Sequence, residues 1–123
     1  MILLTTSAHD LERAAQAIRD GLLVAIPTET VYGLGADAWN KAALARVFEA
    51  KRRHRFDPLI VHVAEPEAAD EVADVSVPDA ATLAERFWPG PLTMVLPKRN
   101  RVHDLATSGL PTVAVRCPAN TFA

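Results

Sequence analysis

Residues 27–35 read Pro-Thr-Glu-Thr-Val-Tyr-Gly-Leu-Gly and follow directly on the apolar run Leu22–Ile26. If the chain stays extended past Pro27, Thr28 and Thr30 point to one face and Glu29 and Val31 to the other. Gly33 and Gly35 then offer positive φ and a close approach of backbone to a ligand. A buried strand that feeds a glycine-bearing loop is where open α/β sheets hold ligands. A threonine-rich strand end with turn glycines would look the same. The stretch is no Walker loop, since no Gly-Lys-Ser/Thr follows. It is no dinucleotide fingerprint either, since the third glycine and the helix opening are missing. A second stretch sets Lys51, Arg52, Arg53 and Arg55 around His54, just before the apolar run 58–64. Arginine forks and a lysine point charge suit a polyphosphate at the rim of a sheet. A solvated basic helix end, where cations complement the macrodipole, explains the same charges. His62, inside Leu-Ile-Val-His-Val, is either a satisfied core histidine or a hydrogen-bonding group at that rim. Arg116 ends the apolar run Thr-Val-Ala-Val and must reach solvent, a carboxylate or a ligand anion. Cys117 beside it reads as a small core side chain rather than a nucleophile. The sequence offers no Ser-His-Asp or Cys-His arrangement, and no carboxylate cluster that suggests a protein-built metal cage.

The elements that must position these groups are legible in outline. The chain has 123 residues, which suits one domain, and half of them are apolar. A net charge of −2 makes the whole chain no electrostatic sink for nucleic acid, so any basic site is local. One cysteine excludes an intramolecular disulfide and fits a reducing cytoplasm. No apolar run reaches about 18 residues, so no membrane span is expected. The N-terminus has no basic flank and too short an apolar stretch for a signal peptide. Leu11, Ala14, Ala15, Ile18 and Leu22 recur at helical spacing, with Ser7 as N-cap and Gly21 as stop. Residues 22–27 read as a strand covered on both faces. A second helix runs over 40–52 with Asn40 as its cap. Further expectations are a buried strand over 58–64, a short acidic helix over 66–75 and a helix over 78–88 that starts near Pro78 and Asp79. Trp-Pro-Gly-Pro at 88–91 breaks the chain. Strands over 92–97 and 112–118 follow, joined by a polar loop at 98–111. This order predicts an α/β domain with helices packed on a mostly buried sheet. The sheet should be mixed, because the last connection lacks an obvious crossover helix.

Four stretches carry a family resemblance: PTETVYGLGADA at 27–38, AKRRHRFDPLIVHV at 50–63, FWPGPLTMVL at 87–96 and TVAVRCP at 112–118. In order and approximate spacing they resemble the YrdC/TsaC family of threonylcarbamoyl-AMP synthases, from about Leu11 to Pro118. The resemblance implies a twisted α/β sheet with helices packed on it and a basic concave groove. It implies that threonine and bicarbonate form a carbamate that attacks the α-phosphate of ATP, giving threonylcarbamoyl-AMP and pyrophosphate for the threonylcarbamoyl-adenosine of tRNA. Lys51 and Arg53 match the pair that holds the triphosphate. Thr30, His62 and Arg116 match threonine-holding positions, with Arg116 facing the carboxylate. Asp57 and Thr112 fall near the nucleotide. No residue is implied as a nucleophile, and magnesium would arrive with ATP. Other tRNA-modification proteins are implied as partners, in the cytoplasm. Arg52 and His54 stand where the family usually has Gly and Pro, and Asp57 where it has Asn. After Arg116-Cys117-Pro118 the family usually has a His and a second half with a Ser-x-Asn nucleotide motif, whereas this sequence reads Ala-Asn-Thr-Phe-Ala. The resemblance therefore implies one YrdC-like domain over 1–123 without the family's C-terminal part. On that ground, strand 112–117 would present an open edge, and a homodimer is expected. An RNA-binding or regulatory module that keeps the groove without full activity is the alternative, with double-stranded RNA on the run 51–55. A third is the carbamoyl-transfer domain that a hydrogenase-maturation protein shares with this fold.

Overall fold

The computed structural model describes residues 8–27, 32–51 and 58–119. Helix α1, Ala8–Arg19, keeps Ala14 buried and Leu11 and Ile18 half-buried, whereas Ala15 is exposed. It ends as expected at Gly21, whose φ is 81°. Leu22 N–H donates to the Ala17 carbonyl at 2.9 Å and Gly21 N–H to the Ile18 carbonyl at 3.0 Å, the paired bonds of a Schellman stop. The Gly21 carbonyl accepts from Arg46 Nη1 at 2.8 Å, which ties this turn to the next helix.

Strands β1 (Val24–Pro27) and β2 (Tyr32–Gly35) form an antiparallel pair, with Val24 opposite Gly35 and Pro27 opposite Tyr32. Residues 32–35 are therefore a strand and not the flexible loop expected there. Positive φ falls at Gly21 and Gly109, not at Gly33 or Gly35. The backbone of 32–35 takes up the hydrogen-bonding groups of β1, which an extended strand end would leave unpaired.

Helix α2, Lys41–Lys51, is capped by Asn40, whose Oδ1 accepts from Ala43 N–H at 3.1 Å. Ala43, Leu44, Val47 and Phe48 are its buried face. Strand β3 (Ile60–His62), a 3₁₀ turn over Pro66–Glu71 and helix α3 (Ala80–Phe87) follow. Asp79 precedes α3 at φ 70° without a side-chain capping bond. Strand β4 (Thr93–Pro97), helix α4 (Asp104–Thr107) and strand β5 (Thr112–Arg116) complete the order. Helix α4 lies inside the expected loop. One turn is too short for any periodicity to show in sequence. Its first turn is held by His103, whose Nδ1 accepts from Leu105 N–H at 3.1 Å, and by a Lys98–Asp104 ion pair at 2.5 Å. That lysine holds the exposed Asp104 carboxyl below its ordinary pKa.

The main sheet has the order β3-β5-β4. Strand β5 is parallel to β3 and antiparallel to β4, so the sheet is mixed as expected. Because β5 is paired on both sides, the open edge expected at 112–117 does not exist and offers no seam for the expected homodimer. Burial alternates along these strands rather than covering both faces. Val61, Val63, Met94, Leu96, Val113, Val115 and Cys117 enter the core with Leu44, Val72, Trp88 and Ala106. Full burial of each such aliphatic side chain contributes about 1.5–3 kcal/mol. Burial also pushes the Cys117 thiol pKa up, in keeping with a core side chain. The opposite face carries Ile60, His62, Thr93, Val95, Thr112, Ala114 and Arg116, all half-exposed or exposed. Val95, 66% exposed, and Ile60, 41% exposed, made that face look buried in sequence.

The Trp88–Pro91 break is a built corner. Trp88 Nε1 donates to the Leu92 carbonyl at 2.8 Å, and Gly90 N–H donates to the Cys117 carbonyl at 2.8 Å. A Cβ at Gly90 would stand 2.4 Å from the Phe87 carbonyl oxygen, which is backbone and cannot turn away. Gly90→Ala should therefore lower unfolding stability by about 1–3 kcal/mol, the range for forced overpacking. Urea denaturation would measure it, and an unchanged midpoint would show that the corner relaxes freely.

Candidate functional site

One row of residues crosses all three strands of the main sheet. His62 in β3 is in register with Arg116 in β5, and Arg116 with Thr93 in β4. Alternation places the three on the open face. The Arg116 carbonyl accepts from Val63 N–H at 2.9 Å, and Cys117 is held by Gly90, so the strand end is fixed on both flanks. Arg116 is half-buried, and its Nε donates to Thr93 Oγ1 at 2.9 Å. Among the described residues no hydrogen bond or ion pair uses its terminal Nη atoms.

His62 is exposed and is not the core histidine that its apolar neighbours allowed. Its Nδ1 lies 3.1 Å from the Ile60 carbonyl. Residues 61 and 63 take the core positions of that run and leave 62 on the open face. Thr112 shares the face of Arg116 but lies four residues back, opposite Pro97. At a rise of about 3.3 Å per residue the two are about 13 Å apart along the strand. The structure thus brings His62 and Arg116 together and sets Thr112 at the far end of the same face.

A cavity of about 580 Å³ adjoins this row. It lies between α1, β2, α2, β3 and the 3₁₀ turn, with Gly33, Trp39, Leu44, Ile60, Val61 and His62 on its wall. The described parts of both sequence motifs, residues 33–38 and 58–63, line it. Residues 28–31 join β1 to β2, and 52–57 join α2 to Pro58. Lys51 is the last residue of α2. Thr30, Arg53 and Asp57 lie outside the described residues, as do Arg52, His54 and Arg55. Two basic side chains elsewhere are already engaged: Lys98 with Asp104, and Arg99 with Asp70 at 2.6 Å. Arg101 lies over the Trp39 ring at 4.7 Å, where a cation meets the π face. Among the described residues no three His, Cys, Asp or Glu side chains cluster to hold a metal ion.

Two of these residues escaped sequence reasoning. Thr93 was one hydroxyl in an apolar strand, and only its alternation with Met94 hinted that it faces Arg116. Trp39 sits in a turn after β2, where nothing in sequence marks it as a cavity wall.

The family model described as telomere recombination, that of Sua5, YciO and YrdC, matches residues 16–123. The chain belongs to this family. The chain is 54% identical over 110 residues to the threonylcarbamoyl-AMP synthase of Pyrococcus abyssi, covering 89% of this chain and 32% of that protein. It is 43% identical over 121 residues to the Bacillus subtilis enzyme of the same name, covering 98% of this chain and 35% of that one. The chain thus spans about a third of the length of these two relatives. A crystal structure of P. abyssi Sua5 in complex with L-threonine superposes with a TM-score of 0.94 at 48% identity, over 99% of this chain and 37% of that one. The Sua5/YrdC assignment bears out the expected fold class, a mixed sheet with packed helices.

The placement of His62 predicts a contrast in stability. His62→Ala should cost under about 1 kcal/mol, as for an exposed side chain. Val61→Ala, one residue away, should cost about 2 kcal/mol because it opens a core cavity. Thermal unfolding of both variants checks this, and equal losses would place His62 in the core.

Proposed function

We propose that this chain carries the threonine- and nucleotide-binding groove of a threonylcarbamoyl-AMP synthase. The observation that carries the reading is the row on the open sheet face, with Arg116 in register beside His62, which lines the cavity. The names of the relatives support it, as does the likeness to a family member that holds L-threonine.

In this reading the threonine carboxylate pairs with the Arg116 guanidinium. His62 and Thr30 meet its polar atoms, and Lys51 and Arg53 neutralise the triphosphate. Asp57 and Thr112 flank the nucleotide, and magnesium comes as part of the ATP substrate. The amine of threonine takes up bicarbonate with loss of water. A carbamate oxygen then bonds to the α-phosphorus, and the bond to pyrophosphate breaks. Such a transfer needs alignment and charge neutralisation more than a nucleophilic side chain. No helix among the described residues is long and apolar enough to cross a membrane. A cytoplasmic place among other tRNA-modification proteins fits the reading.

Calorimetric titration with ATP, threonine and a short RNA duplex, each alone, tests the proposal. Threonine should bind at least about tenfold more tightly than valine, which would leave the polar groups it covers on binding unpaired. Equal affinities would remove Thr30 and His62 from the site.

The phosphate end makes a separate prediction. Lys51→Ala and Arg53→Ala should each weaken ATP binding by about 1–3 kcal/mol, the cost of a lost charge-assisted hydrogen bond. Arg52→Ala and Arg55→Ala should cost less. Four equal losses, with duplex RNA bound, would favour an RNA-binding module.

A further inference from the structure

We infer that Thr93 is a positioning residue for the anion site at Arg116, a deepening that rests on the proposed threonine-binding reading. Thr93 and Arg116 are register partners across β4 and β5, and Thr93 Oγ1 accepts the Nε–H of Arg116 at 2.9 Å. A guanidinium can present a carboxylate with either of two forked edges, one through Nε and one Nη, the other through both Nη atoms. The hydroxyl of Thr93 occupies Nε. The edge left for a bidentate carboxylate is the end-on pair of Nη atoms, so Thr93 selects which edge the ligand meets.

The bond also acts before any ligand arrives. A free arginine side chain loses much rotamer freedom when it is held, and a ligand that must order it binds more weakly. Here the strand backbone is anchored on both flanks of Arg116, through Val63 N–H and through Gly90 N–H on Cys117. The guanidinium is in turn anchored by Thr93. Both the root and the neck of the side chain are set. Thr93 itself reaches this position because the Trp88–Pro91 corner ends two residues before it and starts β4 in a fixed register. Substituting Val for Thr93 keeps the shape and the strand propensity and removes only the acceptor.

The test measures threonine affinity by calorimetry for the whole chain carrying Thr93→Val, Thr93→Ser or Arg116→Ala. Threoninol, which lacks the carboxylate, serves as a second ligand. Thr93→Val should weaken threonine binding about five- to tenfold, the effect of one hydrogen bond. Threoninol and ATP affinities should stay unchanged, so the preference for threonine over threoninol shrinks by the same factor. Thr93→Ser, which restores the acceptor, should bind threonine within about twofold of the parent chain. A role confined to strand packing would move threonine and threoninol alike, and that result overturns the inference. Wild-type binding by Thr93→Val also overturns it if Arg116→Ala abolishes binding, and the proposed function then stands. Indifference of threonine binding to Arg116→Ala removes Arg116 from the site and overturns the proposed reading itself. If Thr93→Val fails to fold by circular dichroism, loss of the threonine preference in a folded Thr93→Ser decides against the inference, and its retention decides for it.

Discussion

The site depends on the double pairing of β5. A strand bonded on both edges has no freedom to slip by one residue, because a slip would move every side chain to the other face. Val113, Val115 and Cys117 are buried in the core, and that commitment holds Thr112, Ala114 and Arg116 on the opposite face. The arginine is therefore placed by hydrophobic burial it takes no part in. The same register brings His62 to one side of it and Thr93 to the other.

A charge at the end of an apolar strand is costly unless its donors are met. The structure meets that cost in part. Thr93 satisfies Nε, and the half-exposed position leaves the Nη tip to solvent or to a ligand. The open face around it is not wholly polar, since Val95, Ile60 and Ala114 share it. Apolar floor with a few aimed polar groups is the usual make-up of a small-molecule site. That mixture explains why the strands read as fully buried while one face of the sheet stays uncovered.

The corner at Trp88–Pro91 and the turn at Gly21 give the frame its precision. In the first, Gly90 passes too close to the Phe87 carbonyl for any Cβ and donates to Cys117, next to Arg116. In the second, the Gly21 carbonyl receives Arg46, which fixes α2 against the end of α1. Helix α2 ends at Lys51, so its placement sets where the chain departs toward β3.

Local sequence by itself determined the long amphipathic helices, their caps at Asn40 and Gly21, the break at Trp88–Pro91 and the mixed character of the sheet. The helices, caps and break follow from spacing or from the special backbone of Gly, Pro and Asn, which act within a few residues, and the mixed sheet from a last connection with no long crossover helix. The family was legible too, because its motifs lie on consecutive stretches. What only the tertiary structure decided depends on partners distant in the chain. Gly33 and Gly35 belong to a strand because β1 lies beside them. Helix α4 is tied to the chain just before β3, where Leu59 N–H donates to the Ala106 carbonyl. His62 is exposed, and β5 has no free edge, because β3 and β4 both pair with β5. Thr93 meets Arg116 across 23 residues of chain. A hydroxyl in an apolar strand carries no sign of the guanidinium opposite, since register between strands is set by the burial of the whole face and not by either residue alone.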